Sequence, residues 1–192
     1  MTVLQDRDAR REGLLAAAAQ VVQRDGAAAS MAAIAAEAGI TKPILYRHFG
    51  DKGGLYAALV ARQTDRLLEL LTVALQSAGS PRQRVERTVG AYLANIEAEP
   101  QIYRFIHSAE AAPTRGQLRT FVRRLSEQLA TGISRELGLP EGDVRAGTWA
   151  AAIVGMVQAA GDWWLDTRPC SREELTTQLT DLLWGAYGAA AS

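Results

Sequence analysis

The sequence predicts an all-α protein, with a small N-terminal domain over residues 1–54 and a larger helical domain over residues 55–192. Good helix formers (Ala, Leu, Arg, Gln and Glu) dominate most windows. No run of alternating β-branched residues is bounded by hairpin turns. Apolar stretches at helical spacing are instead separated by Gly, Pro and capping Ser or Asp residues. With 192 residues, 48% of them hydrophobic and 22% charged, the chain is long enough for one domain and a small second one.

Taken in order, residues from about Arg7 to Asp25 place Leu14, Leu15, Ala18, Val21 and Val22 on one helical face, and Gly26 supplies a left-handed stop. A short second helix begins at Ser30 as N-cap and turns Met31, Ile34, Ala35 and Ala38 inward until Gly39 ends it. The third starts at Thr41, tolerates Pro43 in its first turn, and offers Ile44, Leu45 and Phe49 to the first two helices. Asp51 caps a longer fourth helix carrying Leu55, Leu59, Leu67, Leu70 and Leu71. After the boundary at Ser77 to Pro81, Ser80 and Gln83 form a capping box for a helix running to about Glu99, where Pro100 ends it. A short irregular or helical segment through Tyr103, Phe105 and Ile106 follows. Pro113 and Gly116 precede a helix from about Gln117 to Leu137, stopped by Gly138 and Pro140. Two long helices close the chain, one from about Asp143 to Asp166 and one opened by a second capping box, Ser171 with Glu174.

Composition excludes several functions. Lys plus Arg is 21 and Asp plus Glu is 21, so the net charge is +0 and any nucleic-acid site must be local. Cys170 is the single cysteine, which rules out an intrachain disulfide and a Cys-based zinc site and favours a cytoplasmic setting. His48 and His107 are the only histidines, and there is no Gly-rich phosphate loop or nucleophile elbow, so neither an enzyme nor a cofactor or metal is expected. The apolar run Leu14 to Val22 imitates an export signal, but Asp6, Asp8 and Glu12 cancel the charge of Arg7, Arg10 and Arg11 ahead of it. Ala146 to Gly161 is uncharged but shorter than the roughly 20 residues of a membrane helix. No membrane association is expected.

Three short helices with a tight Gly39 to Thr41 turn between the second and third form the pattern of a helix-turn-helix, whose second member enters the DNA major groove. From Ala38 to Gly50 there is no acidic residue, while Lys42, Tyr46, Arg47 and His48 crowd the third helix and Lys52 opens the fourth. Such a strip suits a phosphate backbone, with Thr41 and Tyr46 hydroxyls and helix N-termini adding donors.

The run Arg11-Glu12, Leu14-Leu15, Ala17-Ala18, Val21-Val22 and Gly26, then Ser30-Met31, Ile34-Ala35 and Ala38-Gly39-Ile40-Thr41, then Leu45-Tyr46, His48-Phe49, Lys52 and Leu55 resembles the DNA-binding region of the TetR family of bacterial transcriptional regulators. The resemblance covers roughly the first sixty residues. It implies a homodimeric, mostly repressing regulator with an N-terminal helix-turn-helix domain and a C-terminal helical domain that binds a small effector and dimerises through the last two helices. It implies DNA contacts at Thr41, Lys42, Tyr46, His48 and Lys52, and places Pro43, Ile44 and Arg47 at positions that vary with operator sequence. The sequence departs from the family pattern at Ala27, at Ala32 and Ala33, and at Gly53 and Gly54. Each glycine costs about 0.8–1 kcal/mol of helix propensity, so a loose start to the fourth helix is expected. Arg47 either reads a guanine edge or clamps phosphate. His48, with an unperturbed pKa of about 6.5, either adds charge at mildly acidic pH or serves as a plain hydrogen-bond donor.

In the penultimate helix, Trp149, Ile153, Met156, Ala160 and Trp163 share one face, and Val154, Val157, Gly161 and Trp164 share a second. A helix apolar on two faces must be covered twice, and a second subunit is the expected cover. The last helix offers Leu175, Leu179, Leu182, Leu183 and Tyr187, while Ala151, Gly155 and Ala159 permit close approach. Tyr92, Ile96, Tyr103, Phe105, Ile106, Phe121, Leu125, Trp149, Ile153 and Met156 are the expected effector-pocket residues, shared with simple core, and imply a hydrophobic or amphipathic ligand. Asn95, His107 and Glu110 either orient that ligand or face solvent. The competing reading is a helical small-ligand carrier or interaction module without DNA function, and the acid-free strip argues against it. Activation with the same DNA contacts also stays open.

Overall fold

Caps and stops in the sequence set most of the helix ends. The computed structural model describes residues 3–108 and 114–190, with side chains for all of these except residues 3–6, 27 and 187–190. Among the described residues the helices are α1 (Val3–Asp25), α2 (Met31–Glu37), α3 (Lys42–Phe49), α4 (Lys52–Leu75), α5 (Pro81–Ala98), α6 (Pro100–His107), α7 (Arg115–Leu137), α8 (Val144–Thr167) and α9 (Arg172–Ala190), with no strand. Ser30 Oγ accepts from the Ala33 N–H at 3.2 Å and Asp51 Oδ1 from the Gly54 N–H at 2.7 Å. Both capping boxes close: Gln83 Oε1 accepts from the Ser80 N–H at 2.9 Å, and Glu174 Oε2 from the Ser171 N–H at 2.8 Å. Gly39, at φ +64, makes the left-handed turn between α2 and α3. Pro100 ends one helix and also begins the next at its first position, where its missing N–H costs nothing. Pro113, Glu110 and the Tyr187 side chain lie outside the described residues.

The helices group into two units, Met1–Asp65 with Glu99–Leu118, and Arg66–Ala98 with Arg119–Ser192. The first has a core of Leu14, Leu15, Ala18, Val21 and Val22 from α1, Met31, Ile34 and Ala35 from α2, and Leu45 and Phe49 from α3. Leu55, Tyr56, Leu59 and Val60 of α4 and Ile102 and Phe105 of α6 complete it. Packing therefore carries this unit past the boundary drawn at residue 54 and adds a helix remote in sequence. The Tyr56 ring meets Phe105 edge-on, 4.7 Å between centroids, and its hydroxyl donates to the buried Ala29 carbonyl at 3.2 Å.

The second unit packs α5 against α9 and α8. Val89, Leu93 and Ile96 are buried from α5, Ala146, Ala150, Trp164 and Leu165 from α8, and Leu175 and Leu179 from α9. Trp164 Nε1 donates to the Cys170 carbonyl at 2.9 Å while the Arg168 guanidinium lies 4.0 Å from its ring centroid, fixing the turn after α8.

The Gly53-Gly54 pair is not simply a weak helix start. An ideal Cβ on Gly54 would run into the Phe49 carbonyl oxygen, so the close passage from α3 into α4 requires glycine there. Gly54→Ala is expected to lower stability by about 1–3 kcal/mol despite its better helix propensity, read as a reduced midpoint in thermal or denaturant unfolding. Gly53→Ala, which meets only the Asp51 carboxylate at 3.2 Å, should cost less.

Candidate nucleic-acid interface

The register of α3 determines what it shows to solvent. Leu45 and Phe49, four residues apart, are buried, so the opposite side of this eight-residue helix faces outward. Thr41, Lys42, Pro43, Tyr46 and Arg47 are exposed there, and Ile44 and His48 are half-buried at its flanks. A tyrosine 42% exposed contributes little to the core and leaves its hydroxyl to solvent or a ligand. Thr41 holds the N-cap position with extended backbone but makes no side-chain capping bond, which keeps its hydroxyl available at the helix N-terminus. Asp51, the one acid between Ala38 and Lys52, is committed to its cap on Gly54. The Lys52 ammonium sits 5.1 Å from the Tyr56 ring centroid, which restrains an otherwise flexible cation.

His48 shows what lies beside this strip. Partial burial, and then the positive charges of Arg10, Arg47, Arg7 and Arg11, hold its pKa below the ordinary histidine value. That direction favours the neutral imidazole and so supports the hydrogen-bonding reading of His48. The arginines of α1 were hidden in a linear charge count by Asp6, Asp8 and Glu12. In the fold, Glu12 accepts from Arg62 Nε at 2.5 Å, and the Arg11 guanidinium lies 4.9 Å from the Phe49 ring centroid, on α3. Their spacing ahead of the apolar face of α1 was the available signal.

The C-terminal expectations need correction. Trp164 is 1% exposed, Leu175 3% and Leu179 6% within a single chain, and Gly161 is buried. An added Cβ at Gly161 would lie 2.9 Å from Tyr92 and 3.0 Å from Ile96. Within one chain, these four residues of the expected dimer interface are buried in the protomer's own core. Val154, Val157 and Leu183 are half-buried, and Leu182 is exposed. The exposed side of α8 instead carries Ala151, Gly155, Ala159 and Trp163. The expected pocket residues also divide: Tyr103, Phe105 and Ile106 fall in the first unit, the other seven in the second. Phe105 is core against Tyr56, and Ile96 is fully buried. Phe121, Leu125, Trp149, Ile153 and Met156 are half-buried. His107 Nδ1 lies 2.9 Å from the Tyr103 carbonyl, one turn back on α6. Among the described residues, no group of three or more His, Cys, Asp or Glu could hold a metal ion, and no helix is long and apolar enough to cross a membrane.

Two outcomes follow from the site. Because His48 binds a proton less readily folded than unfolded, its contribution to stability is full above the unfolded pKa and is lost as pH falls through the folded one. His48→Gln should flatten that acid-side loss in unfolding curves taken across pH. Arg47→Ala should change the preferred DNA sequence, at about 1–3 kcal/mol of discrimination, if Arg47 reads a base edge; equal weakening on all sequences would show a phosphate clamp.

Comparison with known proteins agrees with this geometry. The family model for bacterial regulatory proteins of the tetR family matches residues 14–59, and that for a tetracyclin repressor-like C-terminal domain matches residues 70–192. An uncharacterized HTH-type transcriptional regulator of Mycobacterium tuberculosis H37Rv is 33% identical over 181 residues, covering 92% of this chain and 76% of that protein. The HTH-type transcriptional activator FasR of Mycolicibacterium smegmatis is 33% identical over 184 residues, covering 93% and 83%. In fold, the chain is similar to a solved tetR-family transcriptional regulator from Streptomyces coelicolor, with TM-score 0.78 and 23% identity over 95% of this chain and 85% of that one. The chain belongs to the TetR family of DNA-binding transcriptional regulators, with α2 and α3 as its helix-turn-helix.

Proposed function

We propose that the protein acts as a homodimeric repressor that binds a pseudo-palindromic operator and is released by a small hydrophobic or amphipathic effector in the bacterial cytoplasm. The observation that carries the reading is the outward face of α3, basic and hydroxyl-bearing, held by the burial of Leu45 and Phe49 on the other side. Dimerisation is supported by large apolar side chains left on the last two helices, Trp163 at 53% and Leu182 at 58% exposure. Beside Trp163, the small residues Ala151, Gly155 and Ala159 let a second helix approach closely. The half-buried apolar and aromatic side chains of α7 and α8 suit an apolar effector. Two recognition helices must sit about 34–36 Å apart to meet successive major grooves, so an effector that favours another spacing lowers DNA affinity. Repression follows the description of the matching C-terminal family, while the FasR relative is named an activator.

Selection of a random duplex library on the purified protein should recover a pseudo-palindrome with half-sites about one helical turn apart. Retention of no preferred sequence by folded dimer would contradict the reading. On a template carrying the selected site across a promoter, the protein should lower transcript yield; a rise would assign activation. Leu182→Glu should sediment as a monomer and lose operator affinity, whereas Leu179→Glu would disrupt the protomer's own core.

A further inference from the structure

The apolar face of α1 runs through Leu14, Leu15, Ala18, Val21 and Val22. Continued toward the N-terminus by the helical repeat, it meets Arg11 four residues before Leu15, Arg10 four before Leu14, and Arg7 one turn further. Arginine thus occupies the core-side face of α1 where the helix outruns the core, and all three arginines are exposed. Arg11 reaches α3, stacking on Phe49. Of the acids in these turns, Asp8 lies three residues before Arg11 and borders the same face, while Glu12, one turn further on, is paired with Arg62. The charges of Arg7, Arg10, Arg11 and Arg47 all act on the half-buried His48. Like charges gathered around one imidazole repel in the free protein, and a bound polyanion relieves that repulsion.

We propose that Arg7 and Arg10, with Arg11 beside them, form a second phosphate-binding wall of the DNA site, holding the duplex backbone next to the stretch contacted by α3. This rests on the DNA-binding reading and adds residues from α1 to it. A guanidinium donates two parallel hydrogen bonds to phosphate oxygens, and such contacts strengthen binding to every sequence alike.

The test measures duplex affinity against salt concentration for the wild-type protein, the double variant Arg7→Gln/Arg10→Gln, and Lys52→Gln. Each phosphate contact contributes about 0.9 to the slope of log affinity against log salt. The double variant is expected to lose about 1.8 from that slope and to weaken binding to all sequences equally. Arg7→Lys/Arg10→Lys, which keeps the charges, should restore most of the slope. An unchanged slope in the double variant alongside a reduced slope in Lys52→Gln would overturn the proposal and leave the DNA-binding reading standing. A loss confined to particular base positions would also overturn it, because phosphate contacts carry no base information. A wild-type protein with no salt-dependent duplex binding would overturn both readings together.

Discussion

Everything the N-terminal unit offers to a partner depends on the burial of two side chains of α3. Leu45 is completely buried and Phe49 nearly so, packed among residues of α1, α2, α4 and α6. Fixing these two positions on an eight-residue helix fixes its rotation, and with it the direction of Lys42, Tyr46 and Arg47. Truncating a buried leucine of this kind costs about 2–5 kcal/mol, a large part of the stability of a small domain. The same core sets the Gly54 passage, since α4 must leave Phe49 directly to bring Leu55, Tyr56 and Leu59 back into it.

Charge is distributed with the same logic. A chain with net charge +0 makes a polyanion site only by segregating its acids. Asp51 is spent on a cap, Glu12 on Arg62, and Glu37 on Arg24 Nη1 at 2.9 Å. None of these exposed pairs adds much stability by itself. Their consequence is electrostatic: the carboxylates nearest α3 in sequence are already engaged, and the α1 arginines and the α3 strip act on His48 as a positive field.

The helices and their caps were legible because local chemistry sets them. Ser30, Asp51, Ser80 with Gln83, and Ser171 with Glu174 all form the side-chain bonds their spacing implies. The third helix was legible for the same reason, through the Gly39 turn and the alternation of Leu45 and Phe49 with polar residues. What could not be read was the assignment of apolar faces to partners. Two stripes on α8 are equally apolar in sequence, and only packing shows that Gly161 and Trp164 turn toward the protomer's own interior while Ala151, Gly155 and Trp163 do not. Leu175 and Leu179 were indistinguishable from Leu182 for the same reason, and the α1 arginines were masked because a linear count places Asp8 and Glu12 beside them. Helix propensity could not show the constraint at Gly54, which comes from the Phe49 carbonyl beside it.

The central claim is that the outward face of α3 meets DNA, and the most direct measurement is backbone and side-chain NMR of the protein titrated with the duplex it selects. Shifts concentrated at Thr41, Lys42, Tyr46, Arg47, His48 and Lys52, with the buried Leu45 and Phe49 side chains little changed, are the expected result. Shifts that leave α3 untouched and gather on α8 or α9 would contradict it.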